Sequence, residues 1–473
     1  MPSGGSDASA PLGRAILAGG IAVFVAMAIP VIARGAPLAD DLNNCLAPQE
    51  MGLGGFMEAS WERLGMIRLA RFAEILLTTG VCRSLPFGVA IAVVVALAVG
   101  VGVLARGLLR DLDVPEPWPD VAAAVWFLQP LGTEAGMWPA ALHVPLGLCS
   151  ALLAARCHRR GHHGWAGVAT VGAVLSVEQA ILALPLIAWL VAPPAERRRA
   201  AVASSTVVGA VLVSFVLWPG SDPRLDAGPI ERLTGVVDDP AFFVGFPGVG
   251  LGLHSIPLAA LWGLPWSVVV LAAGAALGLA IARRIPGPGD GRHGSLRHEI
   301  GAFVLVLVLV NVPVILAEPR QGSPRIFTPT WLVLAIAVGW FGARASVRSR
   351  VVWTLAGVYA AGAVLSLALS VSVRLASADV VESAAGTIAA RVPDGAQVAV
   401  CGIRRTVTSP APRGAFAVHE FVYDWAAADA YAYHTGERAA FTLSGELWPT
   451  PCPRPGAVDA VFGFEDLVAE ARP

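Results

Sequence analysis

Long apolar stretches, separated by short polar segments, recur along most of this chain. Several reach the roughly 20 residues that an α-helix needs to cross the hydrocarbon core of a bilayer. They predict a polytopic α-helical membrane protein with about 11 transmembrane helices. In chain order the predicted spans are 14–34, 85–106, 119–134, 137–156, 165–177, 179–194, 200–218, 265–283, 300–317, 328–343 and 351–373. The segment 165–194 fits two short helices or one long broken helix. A cleavable signal peptide at the N-terminus is disfavoured, because the first apolar stretch is long enough to remain as a helix.

The loops rich in arginine indicate how the spans cross the membrane, because such loops stay in the cytoplasm. They fall on alternate connections: Arg156 with Arg159 and Arg160, Arg197 to Arg199, Arg283 with Arg284, and Arg344 with Arg348 and Arg350. We therefore expect a cytoplasmic N-terminus. The loops 35–84, 219–250 and 318–327, and everything after Arg374, then face outward.

After about residue 375 the composition becomes that of a soluble domain. Segments 379–391 and 421–434 have helical patterns, whereas 397–402, 439–443 and 458–462 have strand patterns. This alternation predicts a small α/β domain. We therefore divide the chain into a transmembrane domain, 1–375, and an extracytoplasmic α/β domain, 376–473.

The first outer loop, 35–84, has a helical pattern. Its apolar residues recur at helical spacing: Met57, Trp61, Leu64, Phe72 and Ile75. Charged residues, including Arg71 and Glu74, take the other face. The pattern predicts amphipathic helices lying on the membrane surface. In the second long outer loop, the apolar stretch 249–262 is too short to cross and predicts a re-entrant or surface segment.

Composition narrows the class of protein. The chain is 56% apolar and 14% charged, whereas roughly a quarter of an average soluble domain is charged. That depletion argues against a soluble enzyme. A net charge of −1 and scattered arginines give no indication of a nucleic-acid partner. The absence of lysine and the excess of alanine, valine, glycine and leucine favour a GC-rich bacterial origin, and so a bacterial plasma membrane.

The cysteines agree with this orientation. Cys45 and Cys82 lie in the first outer loop, and Cys401 and Cys452 in the C-terminal domain, on the side where disulfides persist. These four are candidates for disulfides, with four free thiols as the alternative. The sequence does not determine the pairing.

Ionisable side chains near the membrane boundary are the candidates for chemistry, because they are costly there. Asp40 and Asp41 follow the first span. Glu134 occupies the turn between the third and fourth spans, and His143 lies further into the fourth. Glu178 separates the fifth and sixth. All of them map to the outer boundary of the predicted bundle.

Two arginines reach the same boundary from a late segment. Arg320 and Arg325 precede the span 328–343. Arginine supplies a permanent charge and a planar set of donors suited to phosphate oxygens. A carboxylate supplies a general base when it lies within hydrogen-bonding distance of a hydroxyl. Together these residue types fit a site that binds a phosphate and deprotonates a hydroxyl.

Each candidate also has an ordinary structural explanation. The aspartate pair also fits a solvated loop, and Glu134 and Glu178 also fit helix caps. His143 also fits a satisfied core histidine, and one of the arginines an interfacial anchor. There is no metal-binding, Walker-type or Gly-x-Ser-x-Gly motif.

Four features together resemble the GT-C superfamily of integral-membrane glycosyltransferases. They are Asp40-Asp41 soon after the first span, the amphipathic helices of the first outer loop, the segment Pro324-Arg325-Ile326-Phe327-Thr328-Pro329 at the start of a late span, and a terminal outer domain. The resemblance implies an inverting transferase that takes a sugar from a polyprenyl-phosphate donor at the outer face. The acceptor would be a hydroxyl of a glycan, lipid or protein.

The resemblance also implies residue roles. Asp40 or Asp41 would be the general base, and nothing ranks the two. Arg325, with Arg320 as second choice, resembles the position that holds the lipid phosphate. Glu134, Glu178 and His143 match no motif of the family. They are assigned to the substrate site only because of their predicted depth in the membrane. Some relatives bind a divalent metal through such acids; the remaining ligands are not evident here, so no cofactor is assigned and a metal stays open.

Two other functions remain in competition. A lipid or solute transporter or flippase would have a similar composition, but such proteins tend to have repeats and broken helices at the bilayer midplane. No repeat is visible here, and the acids lie at the outer boundary. A non-catalytic cell-envelope assembly protein is the other alternative.

Overall fold

The structure is a computed structural model, and its described part is mostly helical. It describes residues 9–38, 40–64, 69–128, 136–176, 328–343, 350–403, 407–409, 414–416, 424–445, 451–454 and 456–470, with isolated positions at 192, 196, 202, 206, 299, 300 and 303. The described elements of the first 375 residues are α1 Ser9–Arg34, α2 Asp40–Glu50, α3 Gly52–Leu64, α4 Leu69–Ser84, α5 Gly88–Asp111, α6 Trp118–Phe127, a 3₁₀ turn Pro139–Ala141, α7 His143–Arg159, α8 His163–Val174, α9 Thr328–Gly342 and the start of α10 Arg350–Ala389.

Four described helical segments are long and apolar enough to cross a bilayer, which indicates a membrane-embedded protein. They are α1, α5, the 3₁₀ turn continued by α7, and the part of α10 from Ala360 to Ala389. The helices α6, α8 and α9 coincide with predicted spans but have only 10, 12 and 15 described residues. The predicted spans 179–194, 200–218, 265–283 and 300–317 lie almost entirely outside the described residues, as do the loops 219–250 and 318–327 and the segment 249–262.

The core of the bundle forms around α6, which packs against α1, α5 and α9. Small residues allow the close approach: a Cβ atom on Gly20 of α1 would lie 3.1 Å from the Cα atom of Ala124 of α6. Two buried indoles are satisfied by backbone carbonyls. Trp126 Nε1 donates to Ala98 O at 2.8 Å, and Trp331 Nε1 donates to Val125 O at 2.9 Å.

The end of the bundle predicted to be cytoplasmic carries acids as well as arginines. Asp111, at the end of α5, accepts from Arg156 Nε at 2.8 Å and from Arg160 Nη2 at 2.9 Å. Arg106 of α5 pairs with the buried Asp120 of α6. Acids contribute little to the rule that relates basic loops to orientation. The cytoplasmic position of this end therefore stays a prediction.

The segment 35–84, predicted as the first outer loop, forms α2, α3 and α4. In the structure Cys45 of α2 is bonded to Cys82 of α4, with the Cα atoms 5.7 Å apart. The helix α4 lies between α2 and the bundle, where it contacts α5, α7 and the 3₁₀ turn. The predicted polar face is therefore wrong for Glu74, which is as fully buried as Ile75. An amphipathic pattern does not reveal that α4 has polar partners on its charged side.

The last predicted span and the first helix of the C-terminal domain form one helix, α10, of 40 residues. No proline or glycine interrupts it between residues 363 and 385, so the backbone continues although the hydropathy falls. The predicted domain boundary at 375/376 thus lies inside a continuous helix. The boundary itself remains a prediction.

The C-terminal part is a small α/β unit. Its elements after α10 are β1 Ala396–Ile403, β2 Val407–Ser409, β3 Gly414–Phe416, α11 Asp424–Thr435, β4 Ala439–Gly445, β5 Ala460–Gly463 and α12 Phe464–Glu470. The strands β4, β1 and β5 form a parallel sheet in that order, and β2 and β3 form a separate antiparallel pair. In the structure Cys401 is bonded to Cys452, with the Cα atoms 5.7 Å apart. Cys149 and Cys157 are free thiols.

This α/β unit packs directly on α2. Leu42 is fully buried in the apolar core of the unit. Asn43 Nδ2 donates to Asp429 Oδ2 of α11 at 3.3 Å, and Arg438 Nη2 lies 2.9 Å from Glu50 Oε1. Since α2 begins with Asp40 and Asp41, the C-terminal unit helps to fix the helix that carries the aspartate pair.

Candidate functional site

The aspartate pair forms the first turn of α2. Asp41 is fully buried, whereas Asp40 is half-buried. Asp41 Oδ2 accepts a hydrogen bond from Leu38 N at 3.2 Å, and Asp41 Oδ1 accepts one from Ala140 N at 2.8 Å. The carboxylate therefore joins the connector after α1, the start of α2 and the 3₁₀ turn before α7.

The electrostatics of Asp41 come from competing effects. Burial raises the pKa of Asp41 to about 7, because a carboxylate loses hydration when it leaves water. The positive charge of Arg374 in α10 and the two backbone N–H groups oppose that rise, while Asp40 adds to it. Arg374 is itself buried, with 9% of its surface exposed. Asp41 therefore changes protonation near neutral pH.

A second buried carboxylate lies next to this turn. Glu74 of α4 accepts a hydrogen bond from Asn44 Nδ2 at 3.1 Å and forms an ion pair with Arg71. His143 Nδ1 lies 3.3 Å from Glu74 Oε2. Arg71 Nη2 also donates to Asn44 Oδ1 at 3.0 Å. We call Glu74, Arg71, Asn44 and His143 the Glu74 network.

A small cleft opens beside the aspartate pair. It is lined by Val31, Arg34, Ala36, Leu38, Arg374, Leu375 and Ala378. Two of these residues also act on Asp41: Leu38 through its N–H group and Arg374 through its charge. The cleft therefore combines apolar surface, two arginines and a neighbouring acid at the same end of the bundle.

No protein-family model, no curated protein and no solved structure matches this chain.

The structure brings three of the seven predicted site residues into one region. Asp40 and Asp41 lie on α2, and His143 begins α7 three residues after the backbone group that binds Asp41. The other four, which are Glu134, Glu178, Arg320 and Arg325, lie outside the described residues.

Sequence reasoning missed Glu74, Asn44 and Arg374 as members of this region. A signal existed for Asn44, since it follows Asp41 by three residues and so shares a helix face with it. Arg374 directly follows the last predicted span, 351–373, and the pattern gives it no role beyond marking that boundary. Nothing in the pattern of α4 identified Glu74 as buried.

Metal ligation has no support from the described side chains. Within the part of the chain that the structure describes, no group of three or more histidine, cysteine, aspartate or glutamate side chains could hold a metal ion. The divalent metal considered from the resemblance therefore gains no ligand set from Asp41, Glu74 and His143.

Proposed function

We propose that this protein is a membrane glycosyltransferase of the GT-C type, in which Asp41 is the general base. It transfers a sugar from a polyprenyl-phosphate donor to a hydroxyl of a glycan, lipid or protein acceptor, with inversion at the sugar carbon. The acceptor hydroxyl loses its proton to Asp41, the new glycosidic bond forms, and polyprenyl phosphate leaves with the electron pair of the broken bond.

One observation carries the choice of Asp41 over Asp40. A general base is most effective when its pKa lies near the pH at which it works. The pKa of Asp41 is about 7, and the carboxyl lies in the first turn of α2, which follows the first span, beside an arginine-lined cleft. Asp40, which is half-buried on the same turn, would contribute to the negative potential around the base.

The leaving phosphate requires positive charge. Arg374 and Arg34 line the cleft beside Asp41, although Arg34 also pairs with Asp379 and Glu382 of α10. Arg374 therefore joins Arg325 and Arg320 as a candidate for stabilising the charge that develops on the phosphate. Glu134, Glu178 and His143 keep their proposed places near the substrate.

The proposal includes an architecture. About 11 helices cross a bacterial plasma membrane, with the N-terminus in the cytoplasm and the α/β domain outside. The polyprenyl chain enters sideways from the bilayer, and the acceptor approaches from the outer aqueous side. The outward position of the aspartate pair is needed because lipid-linked sugars would be used on that face.

The experiment that tests the proposal is a turnover assay with purified protein. Polyprenyl-phosphate sugars bearing several different sugars are supplied with a mixture of acceptors, and release of polyprenyl phosphate is measured with added divalent metal and with chelator. We expect release in the wild type and a loss of at least about 100-fold in Asp41→Asn, the lower range for removal of a general base. Asp113→Asn is the matched control, because that aspartate is 90% exposed and pairs at the opposite end of the bundle.

Two results would contradict the proposal. Normal turnover in Asp41→Asn would remove Asp41 as the base, and normal turnover in the double variant with Asp40→Asn would remove the pair. Wild-type protein that neither binds nor turns over any donor in a broad panel would favour the transporter or assembly functions.

A further inference from the structure

The Glu74 network is built around a carboxylate that has no contact with water. Glu74 is fully buried, and its partners come from three separate elements: Asn44 from α2, Arg71 from α4 itself and His143 from α7. Burial of a carboxylate is costly unless hydrogen bonds and opposite charge compensate it. The three partners provide that compensation, so the position of each element depends on the same side chain.

The Glu74 network is connected to Asp41 by two routes through the backbone. Along α2, Asn44 follows Asp41 by three residues, so a bond from Asn44 to Glu74 restrains the helix turn that carries Asp41. Along the other route, His143 follows Ala140 by three residues, and Ala140 N donates to Asp41 Oδ1 at 2.8 Å. Glu74 thus holds both the helix that bears the acid and the turn that binds the acid.

We propose that Glu74 and His143 are positioning residues for Asp41, which they hold by locking α2 to the 3₁₀ turn Pro139–Ala141. The expected effect of these residues on sugar transfer rests on the proposed function, whereas their expected effect on the Asp41 carboxyl does not. Neither residue exchanges a proton with substrate; each acts through the backbone geometry around Asp41.

The charged groups around the acid determine the expected direction of change. Asp41 faces Asp40 of its own helix and Arg374 of α10, while Glu74 faces Arg71 and His143. On the other side of α2, Asp429 of α11 binds Asn43 and has a pKa raised by burial to about 6.

The hydrogen bond from Ala140 lowers the pKa of Asp41, because it favours the ionised form. Loss of that bond while Asp41 stays buried should therefore raise the pKa of Asp41.

The test uses two variants of different chemistry and one control in the full-length protein. Glu74→Gln keeps the shape of the side chain and removes its charge, and His143→Asn keeps a polar group near the Nδ1 position. Glu58→Gln is the control, since Glu58 is exposed on α3 of the same loop. Titration of Asp41 is followed by infrared difference spectroscopy against Asp41→Asn, and the pH profile of polyprenyl-phosphate release is measured in parallel.

We expect both variants to move the Asp41 titration, and the acidic limb of the turnover profile, to higher pH. We also expect kcat of both variants to fall about tenfold or more, toward the roughly 100-fold cost that a small misplacement of a catalytic group can have, while KM of Glu74→Gln stays unchanged. Glu58→Gln should match the wild type. An Asp41 titration that does not move in either variant overturns the inference, whatever the activity. The Asp41 titration could instead move while Asp41→Asn retains turnover, or while the wild type has no turnover. Either result supports the positioning of Asp41 and overturns the proposed function.

Discussion

Replacing Asp41 with asparagine should stabilise the protein at alkaline pH, although it should abolish the proposed sugar transfer. The stabilisation follows from the environment of the carboxyl. Asp41 is fully buried, and its pKa is about 7 instead of the ordinary 3.8. The folded protein disfavours the charged form of this residue. A neutral residue of the same shape should therefore make the protein more stable at a pH where Asp41 is charged.

The sign follows from proton binding. Between about pH 4 and pH 7 the folded protein keeps a proton on Asp41 that the unfolded chain has released. The free energy of unfolding therefore falls as the pH rises through this window, and it is level below and above. The whole fall amounts to about 4 kcal/mol, of which about 3 kcal/mol lies between pH 5 and pH 8.

Asparagine has a cost of its own. Each oxygen of the Asp41 carboxylate accepts one backbone N–H group, from Leu38 and from Ala140. Asparagine has a single carbonyl oxygen, so one of these N–H groups loses its acceptor, at about 1–3 kcal/mol. The protonated aspartate has nearly the same deficit, because one of its oxygens carries hydrogen. The two proteins should therefore be of similar stability near pH 4 and should separate as the pH rises.

The assay is thermal unfolding in one detergent from pH 5 to pH 8, followed by intrinsic tryptophan fluorescence. The quantity of interest is the difference between Asp41→Asn and wild type at each pH, since groups that titrate in both proteins, such as Asp429, cancel. Asp113→Asn should run parallel to the wild type. Parallel curves for Asp41→Asn and wild type would refute the reasoning, because they would mean that Asp41 has the same pKa folded and unfolded.

Three further predictions concern stability. Replacing both Cys45 and Cys82 with alanine should lower stability by about 3–4 kcal/mol, the value for a disulfide that closes a loop of this size; the two cysteines are 37 residues apart. In thermal unfolding, reductant should destabilise the wild type only. Gly102→Ala should cost about 1–3 kcal/mol by overpacking, because its Cβ atom would collide with the Phe127 ring, whereas Gly100→Ala, with its closest contact at 3.4 Å, should be tolerated in the same unfolding assay. Leu42→Ala should cost about 2–5 kcal/mol and speed amide hydrogen exchange in α11, and unchanged exchange there would contradict the docking of the C-terminal unit on α2.

Hydropathy was sufficient to locate the long helices but not their ends. The predicted spans 14–34, 85–106 and 137–156 coincide with α1, α5 and the turn continued by α7, because 20 apolar residues have few alternatives to a helix in a bilayer. The break predicted after residue 373 is absent because hydropathy reports the solvent around a helix, whereas the backbone continues until a residue interrupts it. The strands β1, β4 and β5 were located within a few residues, while their parallel pairing was outside the reach of local patterns.

The candidate site shows where sequence reasoning ends. Asp40 and Asp41 could be selected because ionisable side chains are costly near a membrane boundary. The hydrogen bond and the positive charge that act on Asp41 come from Ala140 and Arg374, which are far away in the chain. Glu74 has the charge and the spacing of a surface residue. Its burial results from the packing of α4 between α2 and α7, which no pattern within the first outer loop contains.

A purely structural role for Asp41 can be compared with a chemical one on energetic grounds. As a link between Leu38, Ala140 and α2, the side chain needs only acceptors, and asparagine or serine would supply one without an ionisable group. The pKa of about 7 already includes the hydrogen bonds from both N–H groups, and near neutral pH the ionised carboxylate still costs about 4 kcal/mol. Stability alone therefore favours asparagine at this position near neutral pH. A group that must accept a proton from a hydroxyl near neutral pH does require an ionisable acid, and among the acids of the described chain Asp41 combines full burial, a pKa of about 7 and a place beside the arginine-lined cleft.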